Sequence, residues 1–356
     1  MKGESFLKGY HANIPIFIPH LGCPNNCVFC NQRSISGHLD FDECGVTDEI
    51  EAALATIEAK GGNVDTEIAF FGGSFTGIDR GLMLSLLEKA YSYIESGRVG
   101  SIRLSTRPDY IDREILDILK KYEVKTIELG LQSMSDAVLE ACKRGHDRET
   151  AARACRLIKE YGFELVGQMM IGLPGATPEN EAETAREICE LGADGARVYP
   201  TVVFYDTELC DMARSGEYEC LGNDEAVMRT KEVLKIFDEN GVPCIRVGLC
   251  ASENLASEDA VYGGANHSAI GELAMGEVFY DKMRELLGKI QGEGEKNIVF
   301  YVPKGATSKA VGQKRKNIDR LKDEFFVKEH IKSVKILEKN DLIGYNIEIE
   351  IKNIGG

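Results

Sequence analysis

Ile14-Pro15-Ile16-Phe17-Ile18, followed by Gly22-Cys23-Pro24-Asn25-Asn26-Cys27-Val28-Phe29-Cys30, decides how the rest of this chain is read. The first part is a short apolar run of β type, and the second is a C-x3-C-x2-C loop leaving it. Three thiolates on such a loop can grip three corners of an iron–sulfur cluster, whereas an ordinary 4Fe–4S site takes four. With no obvious fourth cysteine, one iron is left open to hold something else. Two other readings compete. A structural zinc site closes with four ligands, and His38 or Cys44 could supply the fourth, although the three-then-two spacing is not that of a common zinc knuckle. A disulfide framework fits less well. The chain has 11 cysteines in 356 residues, with Cys142, Cys155 and Cys189 inside expected helices and no apolar leader at its start. That usage predicts a reduced, cytoplasmic protein whose other cysteines serve as small core hydrophobes.

Outward from the loop, β-type runs at 14–19, 67–71, 101–105, 126–131, 163–171 and 195–199 alternate with amphipathic segments. The segments fall at 48–60, 79–96, 112–121, 135–143, 148–161 and 178–191, with Asp48, Asp79, Ser135 and Thr177 as N-caps. Strands separated by helices predict an α/β fold with a parallel sheet and helices outside it. A Rossmann sheet and an incomplete (β/α) barrel both fit, and in either the ligand site lies at the C-terminal ends of the strands. The cysteine loop follows the first strand, Gly72-Gly73-Ser74 the second and Gly172-Leu173-Pro174-Gly175 the fifth, so all three fall on one edge.

After position 199 the pattern loosens. Helices are expected at 208–215 and 224–240, and a short strand at 242–247 could add to the sheet. The segment Gly263-Gly264-Ala265-Asn266-His267 precedes a helix at 269–287. Residues 291–296 read as a linker. Beyond them, 297–302, 308–325, 334–337 and 344–351 read as β-α-β-β. The expected division is 1–290 for the core with its flanking helices and 291–356 for a small α+β extension.

The formal net charge is -16, so the surface as a whole should repel nucleic acid and acidic lipid. No run approaches the roughly 18 to 20 apolar residues of a membrane span. The charge is uneven, however. Residues 296–335 hold 11 Lys or Arg against 4 Asp or Glu. A solvated helix face balanced by acids elsewhere accounts for this, and so does a docking surface for RNA or an acidic partner.

A cluster with an open iron needs a bidentate ligand and a pocket that accepts it. Glycines after the second strand let backbone approach a small zwitterion closely. A carboxylate wants a cation, and a ribose wants polar side chains. Gly72, Gly73, Ser74, Gln132, Ser133 and Arg144 supply these on the same edge. Each also has an ordinary reading, as a turn glycine or a surface Arg in an ion pair.

These blocks carry a family resemblance. The cysteine loop, with Phe29 before its last cysteine, resembles the signature of radical S-adenosylmethionine (SAM) enzymes. Ser105-Thr-Arg-Pro-Asp109, Glu128-Leu-Gly-Leu-Gln-Ser133, Lys143-Arg-Gly-His146, Gly172-Leu-Pro-Gly-Ala-Thr-Pro178, Tyr199-Pro-Thr201 and Gly264-Ala-Asn-His-Ser-Ala-Ile-Gly-Glu-Leu273 are similar to the radical SAM domain of the Elongator catalytic subunit and its prokaryotic relatives. The resemblance covers roughly residues 10 to 280. It implies a partial (β/α)6 TIM-type barrel and a 4Fe–4S cluster on Cys23, Cys27 and Cys30. It also implies reductive cleavage of SAM to a 5′-deoxyadenosyl radical that abstracts hydrogen from a substrate. By motif, Gly72 and Gly73 would face the SAM amino group, with Ser74 beside them. Gln132 and Arg144 would meet its ribose and carboxylate, and Phe29 and Gly172 its adenine. Ser105 stands where many relatives carry a Glu aimed at the ribose.

The resemblance further implies an oxygen-sensitive enzyme, an electron donor such as flavodoxin or ferredoxin, and tRNA or another RNA as substrate. A small molecule or tetrapyrrole is the alternative substrate. A non-catalytic cluster- or haem-handling protein and a zinc-bearing RNA-binding scaffold are the rival classes. Residues 291–356 are too few for the acetyltransferase-like domain of the Elongator subunit, so acetyl-CoA chemistry is not expected. Tyr199, Tyr205 and His267 are candidates for the substrate side, each with plain packing as its other reading. Gly312-Gln-Lys-Arg-Lys-Asn317 fails as a G-x-x-G RNA clamp, because position 315 is Arg.

Overall fold

Strand β1 (Tyr10–Ile18) is laid parallel to β2 (Val64–Gly72), and the register runs from Tyr10 opposite Val64 to Ile18 opposite Gly72. The computed structural model describes residues 10–18, 21–23, 27–31, 41–60, 64–249, 260–290, 294–327 and 329–354. Further parallel strands follow in order: β3 (Ser101–Thr106), β4 (Val124–Gln132), β5 (Glu164–Ile171) and β6 (Gly195–Pro200). Between them run α1 (Val46–Lys60), α2 (Arg80–Glu95), α3 (Arg113–Lys121), α4 (Asp136–Ala141), α5 (Arg148–Glu160) and α6 (Pro178–Glu190). The six strands expected from the sequence are present. A seventh, β8 (Cys244–Val247), joins the sheet beyond β6. Before it come β7 (Val202–Phe204), α7 (Glu208–Ser215) and α8 (Asn223–Glu239).

Alternate strand residues face opposite ways. Ile16, Ile18, Ile68, Phe70, Leu104, Ile127, Leu165 and Val198 pack into one core with Leu86, Leu116, Ile158, Ile188 and Phe237 of the helices. The opposite face carries Glu67, Arg103, Glu128, Gln168 and Arg197. The sheet is curled around this polar face. The Arg197 guanidinium of β6 lies 5.4 Å from the ring centre of Phe71 on β2. Four strand spacings of about 4.8 Å would separate those strands in a flat sheet, too far for side chains standing off it to meet. The result is the incomplete barrel expected above, with the short strand expected at 242–247 joining its sheet as β8.

Helix starts follow local chemistry. Asp79 accepts from the Leu82 amide at 3.0 Å, and Thr177 and Asn180 form a reciprocal capping box. Ser135 holds the cap position of α4 without a side-chain bond. Asp48 is not a cap: α1 starts at Val46, so this carboxylate sits inside the first turn and acts on the helix dipole. A short antiparallel pair, β7 with β9 (Val261–Gly264), appears where the sequence shows no strand pattern.

Helix α9 (Ile270–Gly288) serves two cores. Ile270, Ala274 and Val278 join the barrel core, while Phe279, Tyr280, Met283 and Leu287 join a second cluster. That cluster is completed by a three-stranded sheet with β10 (Glu295–Pro303) at its centre. β11 (Ile331–Lys339) runs parallel to it on one side and β12 (Glu348–Ile354) antiparallel on the other. Helices α10 (Thr307–Val311) and α11 (Lys316–Leu321) bridge β10 to β11. Among the described residues, no helix is long and apolar enough to cross a membrane.

Candidate functional site

The cysteine loop is pinned through both backbone groups of Val28, the residue after Cys27. The Val28 amide donates to the Cys142 carbonyl at 3.2 Å, and the Leu209 amide donates to the Val28 carbonyl at 2.8 Å. Val28 is buried with Val138, Leu173, Val203, Leu209 and Tyr218, and Phe29 packs against that cluster. Cys27 is buried at 7% exposure, whereas Cys23 and Cys30 are partly exposed. Of the alternative fourth ligands, Cys44 is exposed, and His38 lies outside the described residues. Among the described residues, no three His, Cys, Asp or Glu side chains are gathered into a metal-holding group.

Two buried guanidiniums converge on the Cys27 sulfur. Arg144 donates to it through one terminal nitrogen at 3.2 Å, and through the other to the Gly130 carbonyl at 2.7 Å. Arg107 approaches the same sulfur at 3.9 Å, is held by both oxygens of Asp109, and donates to the Arg144 carbonyl. Burial pushes the Cys23 thiol up, with Arg107 the largest opposing influence. His146 stands behind this pair, its Nδ1 3.8 Å from Asp109. Burial, reinforced by Arg144, holds His146 down to about 4, so it is neutral at pH 7.

The glycines bring two loops together. A β-carbon on Gly73 would lie 2.1 Å from the Leu21 carbonyl oxygen, and one on Gly22 would lie 2.1 Å from the Ser74 carbonyl oxygen. The Ser74 amide closes the contact on Leu21 at 2.9 Å. Gly72 has φ +108, a conformation side chains avoid. Ser74 is fully buried, and its hydroxyl meets Thr106 at 2.9 Å and the Arg107 amide at 3.3 Å. The loops after β1, β2 and β3 therefore form one unit.

Gln132 ends β4 with φ +68, and its buried Oε1 has no hydrogen-bond partner among the described residues. Ser105 accepts weakly from Gln168 at 3.5 Å. Gly172, at φ +78, is held by the Glu181 carboxylate on its amide and the Tyr218 hydroxyl on its carbonyl. Tyr199 lies on the inner barrel face within 3.4 Å of Arg197. Tyr205 lies edge-on to Tyr262 with Arg214 against both rings, and its carbonyl accepts from Asn31, next to Cys30. His267 has a local role: its Nδ1 accepts from the Ala269 amide at 3.1 Å.

The sequence reading did not anticipate the inner charge network. Arg103 bridges Glu67 and Glu128, and Glu128 also takes Arg197 at 2.7 Å and Gln168 at 2.8 Å. The available signal was a charge at alternate positions of otherwise apolar parallel strands, which must be paired when buried. Arg107 was also missed, although Ser105-Thr-Arg-Pro-Asp109 contains it together with its carboxylate partner.

Comparison with known proteins bears on the family and the fold. The profile of the Radical SAM superfamily matches residues 17–188, and that of a radical SAM C-terminal domain matches residues 193–278. An uncharacterised protein of Methanocaldococcus jannaschii is 30% identical over 224 residues, spanning 60% of this chain and 68% of its own length. The tRNA uridine(34) acetyltransferase of the same organism is 33% identical over 152 residues. That match takes in 41% of this chain but only 28% of the acetyltransferase. The structure of Elp3 from Methanocaldococcus infernus with an N-terminal deletion shares the fold, with a TM-score of 0.60 at 21% identity, covering 78% of this chain and 63% of that one.

Proposed function

This chain belongs to the radical SAM superfamily, and from that premise we propose that it is an enzyme holding a 4Fe–4S cluster on Cys23, Cys27 and Cys30 and acting on an RNA nucleoside. The carrying observation is the convergence of Arg144 and Arg107 on the buried Cys27 sulfur, at the C-terminal edge of a curled parallel sheet. The chemistry of the donors suits the group. Three thiols without a fourth leave an iron open, and the guanidiniums offset the negative charge that thiolates bring. The partnerless Gln132 Oε1 is a ready acceptor for a ligand hydroxyl or amine on the same edge. Bound there, the cluster would supply the electron that cleaves SAM into methionine and a 5′-deoxyadenosyl radical.

The chain's own part is placement and shielding. Arg144 ties the cysteine loop to β4, so the metal ligands move with the sheet. Gly22, Gly72 and Gly73 let the first two loops meet backbone to backbone, which leaves the edge without projecting side chains there. Gly72, Gly73, Ser74, Ser105, Gln132, Arg144, Phe29 and Gly172 form the SAM side of the site. Tyr199 and the Arg197–Glu128 pair line the substrate side. Support for RNA comes from the tRNA-modifying relative and from the basic 296–335 segment. The reductant would be a small electron carrier of the flavodoxin or ferredoxin kind, in a reducing cytoplasm.

The test is 5′-deoxyadenosine release by anaerobically purified protein reconstituted with iron and sulfide, given SAM and dithionite. Slow release, faster with tRNA and lost in Cys27→Ala, is expected. A full cluster without cleavage would favour a carrier, and firmly bound zinc without iron would sink the reading of the site.

A further inference from the structure

A cleft of about 340 Å³ lies between the first turns of α9 and the loop joining α10 to α11. Lys309, Lys314 and Arg315 line it with Ser308 and Gln313, against one acid, Glu272. The size is that of a small-ligand site. Among the described residues, none of the three cations is in an ion pair, in a chain of net charge -16 whose other described cations are mostly matched to acids. They are therefore not what holds the loop. Asn317 does that: buried at 2% exposure, its amide nitrogen donates to the Gly276 carbonyl of α9 at 2.8 Å and to the Ala310 carbonyl at 3.2 Å. Gly312 has φ +78, and a β-carbon there would lie 2.8 Å from Asn317. Lys314 (φ 52) and Arg315 (φ 66) are both left-handed, a costly pairing for residues with side chains. The loop thus presents two adjacent cations from a strained but anchored backbone.

The cleft also has a telling position. A β-carbon on Gly271 would lie 3.0 Å from Val247, the last residue of β8, and one on Gly248 would lie 3.0 Å from Ile270. The strands are parallel, so this is the edge that carries Cys27, Gly73 and Gln132.

We infer that this cleft binds backbone phosphates of an RNA substrate and seats it beside the mouth of the barrel. The inference rests on the reading of the barrel as an RNA-modifying site and gives that substrate its anchor. Lys314 and Arg315 supply two phosphate contacts and Lys309 a third, with Ser308 and Gln313 as neutral donors. Such contacts position an RNA without reading its sequence. They make binding depend on salt, by a little under one unit in the log–log slope for each phosphate neutralised.

The experiment is a salt titration of fluorescently labelled bulk tRNA binding to the reconstituted full-length chain, by anisotropy. Lys314→Gln/Arg315→Gln should lower the slope by about 2 and weaken binding at least roughly tenfold at low salt. Lys309→Gln, on regular helix, should lower the slope by about 1, and relaxation of the strained loop cannot explain that loss. Arg153→Gln, an exposed cation on α5, is the control and should leave the slope unchanged. Unchanged slopes in both cleft variants would overturn the inference. So would cleft-dependent binding of inorganic polyphosphate or polyglutamate without any of tRNA. Deoxyadenosine release measured on the same preparations separates the two claims. Cleft-dependent tRNA binding without SAM cleavage would fail the radical reading and leave the anchor standing, and the reverse would fail the anchor alone.

Discussion

Arg144 binds a sulfur and a strand carbonyl with one planar fork, a pairing that a lysine could not reproduce. Replacing it by Met should leave the fold intact while removing the nearest cation from Cys27. Outer residues of metal sites commonly carry 10- to 100-fold in affinity or activity, so deoxyadenosine release should fall by roughly that factor. Iron content per chain would show whether the loss lies in cluster retention. Unchanged release would mean that Arg144 is only a strut. His146 gives a second prediction. In the unfolded chain it titrates near 6.5, but in the fold it is held to about 4. Between those values the unfolded chain takes a proton that the folded site refuses. Stability should therefore decline as pH falls from about 6.5 toward 4, by up to about 1.4 kcal/mol per unit, with no contribution above 6.5. Denaturant titrations should find this acid limb flattened in His146→Gln, and identical slopes would refute the assignment. At this scale the sequence named Cys23, Cys27, Cys30 and Arg144 through motif. It quoted Arg107 and His146 inside motif blocks but gave them no role, because their contacts with Cys27 and Asp109 form only when three loops meet.

Elements were largely legible, since hydrophobic period and capping are local. Asp79 and Thr177 cap helices as their positions suggest. The exceptions have physical reasons. β7 is three residues long, too short to display an alternation, and exists because β9 pairs with it. The glycine loops also carried more than their sequence disclosed. Gly73 reads as a turn or a ligand contact, whereas in the fold its missing side chain makes room for the Leu21 carbonyl. Gly73→Ala should therefore push apart the loops after β1 and β2, costing about 1–3 kcal/mol and lowering cluster content. Gly175→Ala is the companion, because its φ of +75 carries backbone strain but open space surrounds it. A cost near 1 kcal/mol with the cluster retained is expected there. Equal effects of the two changes in thermal melts and iron assays would contradict the loop-contact role of Gly73.

Across the whole molecule, α9 joins the barrel to the second sheet. Phe279, Tyr280, Met283 and Leu287 on its far half are covered by Ile298, Phe300, Val302 and Leu321. Each such side chain loses about 1.5–3 kcal/mol when exposed, so removing residues 291–356 should strip the barrel of several kcal/mol. Size-exclusion chromatography and melting of the shortened chain should give self-association and a lower midpoint. A monomer with an unaltered midpoint would mean that the two parts are energetically independent.

Composition and period determined the α/β class, the order of strands and helices, and the edge where the loops gather, because each depends on neighbours within a few turns of chain. The C-x3-C-x2-C spacing marked three thiols that could grip a cluster. The curl that brings Arg197 over Phe71, the two guanidiniums on Cys27, the Glu67–Arg103–Glu128–Arg197 network and the cleft beside β8 belong to the tertiary structure alone. Each joins residues tens of positions apart, and buried charge must find its partner in space rather than along the chain.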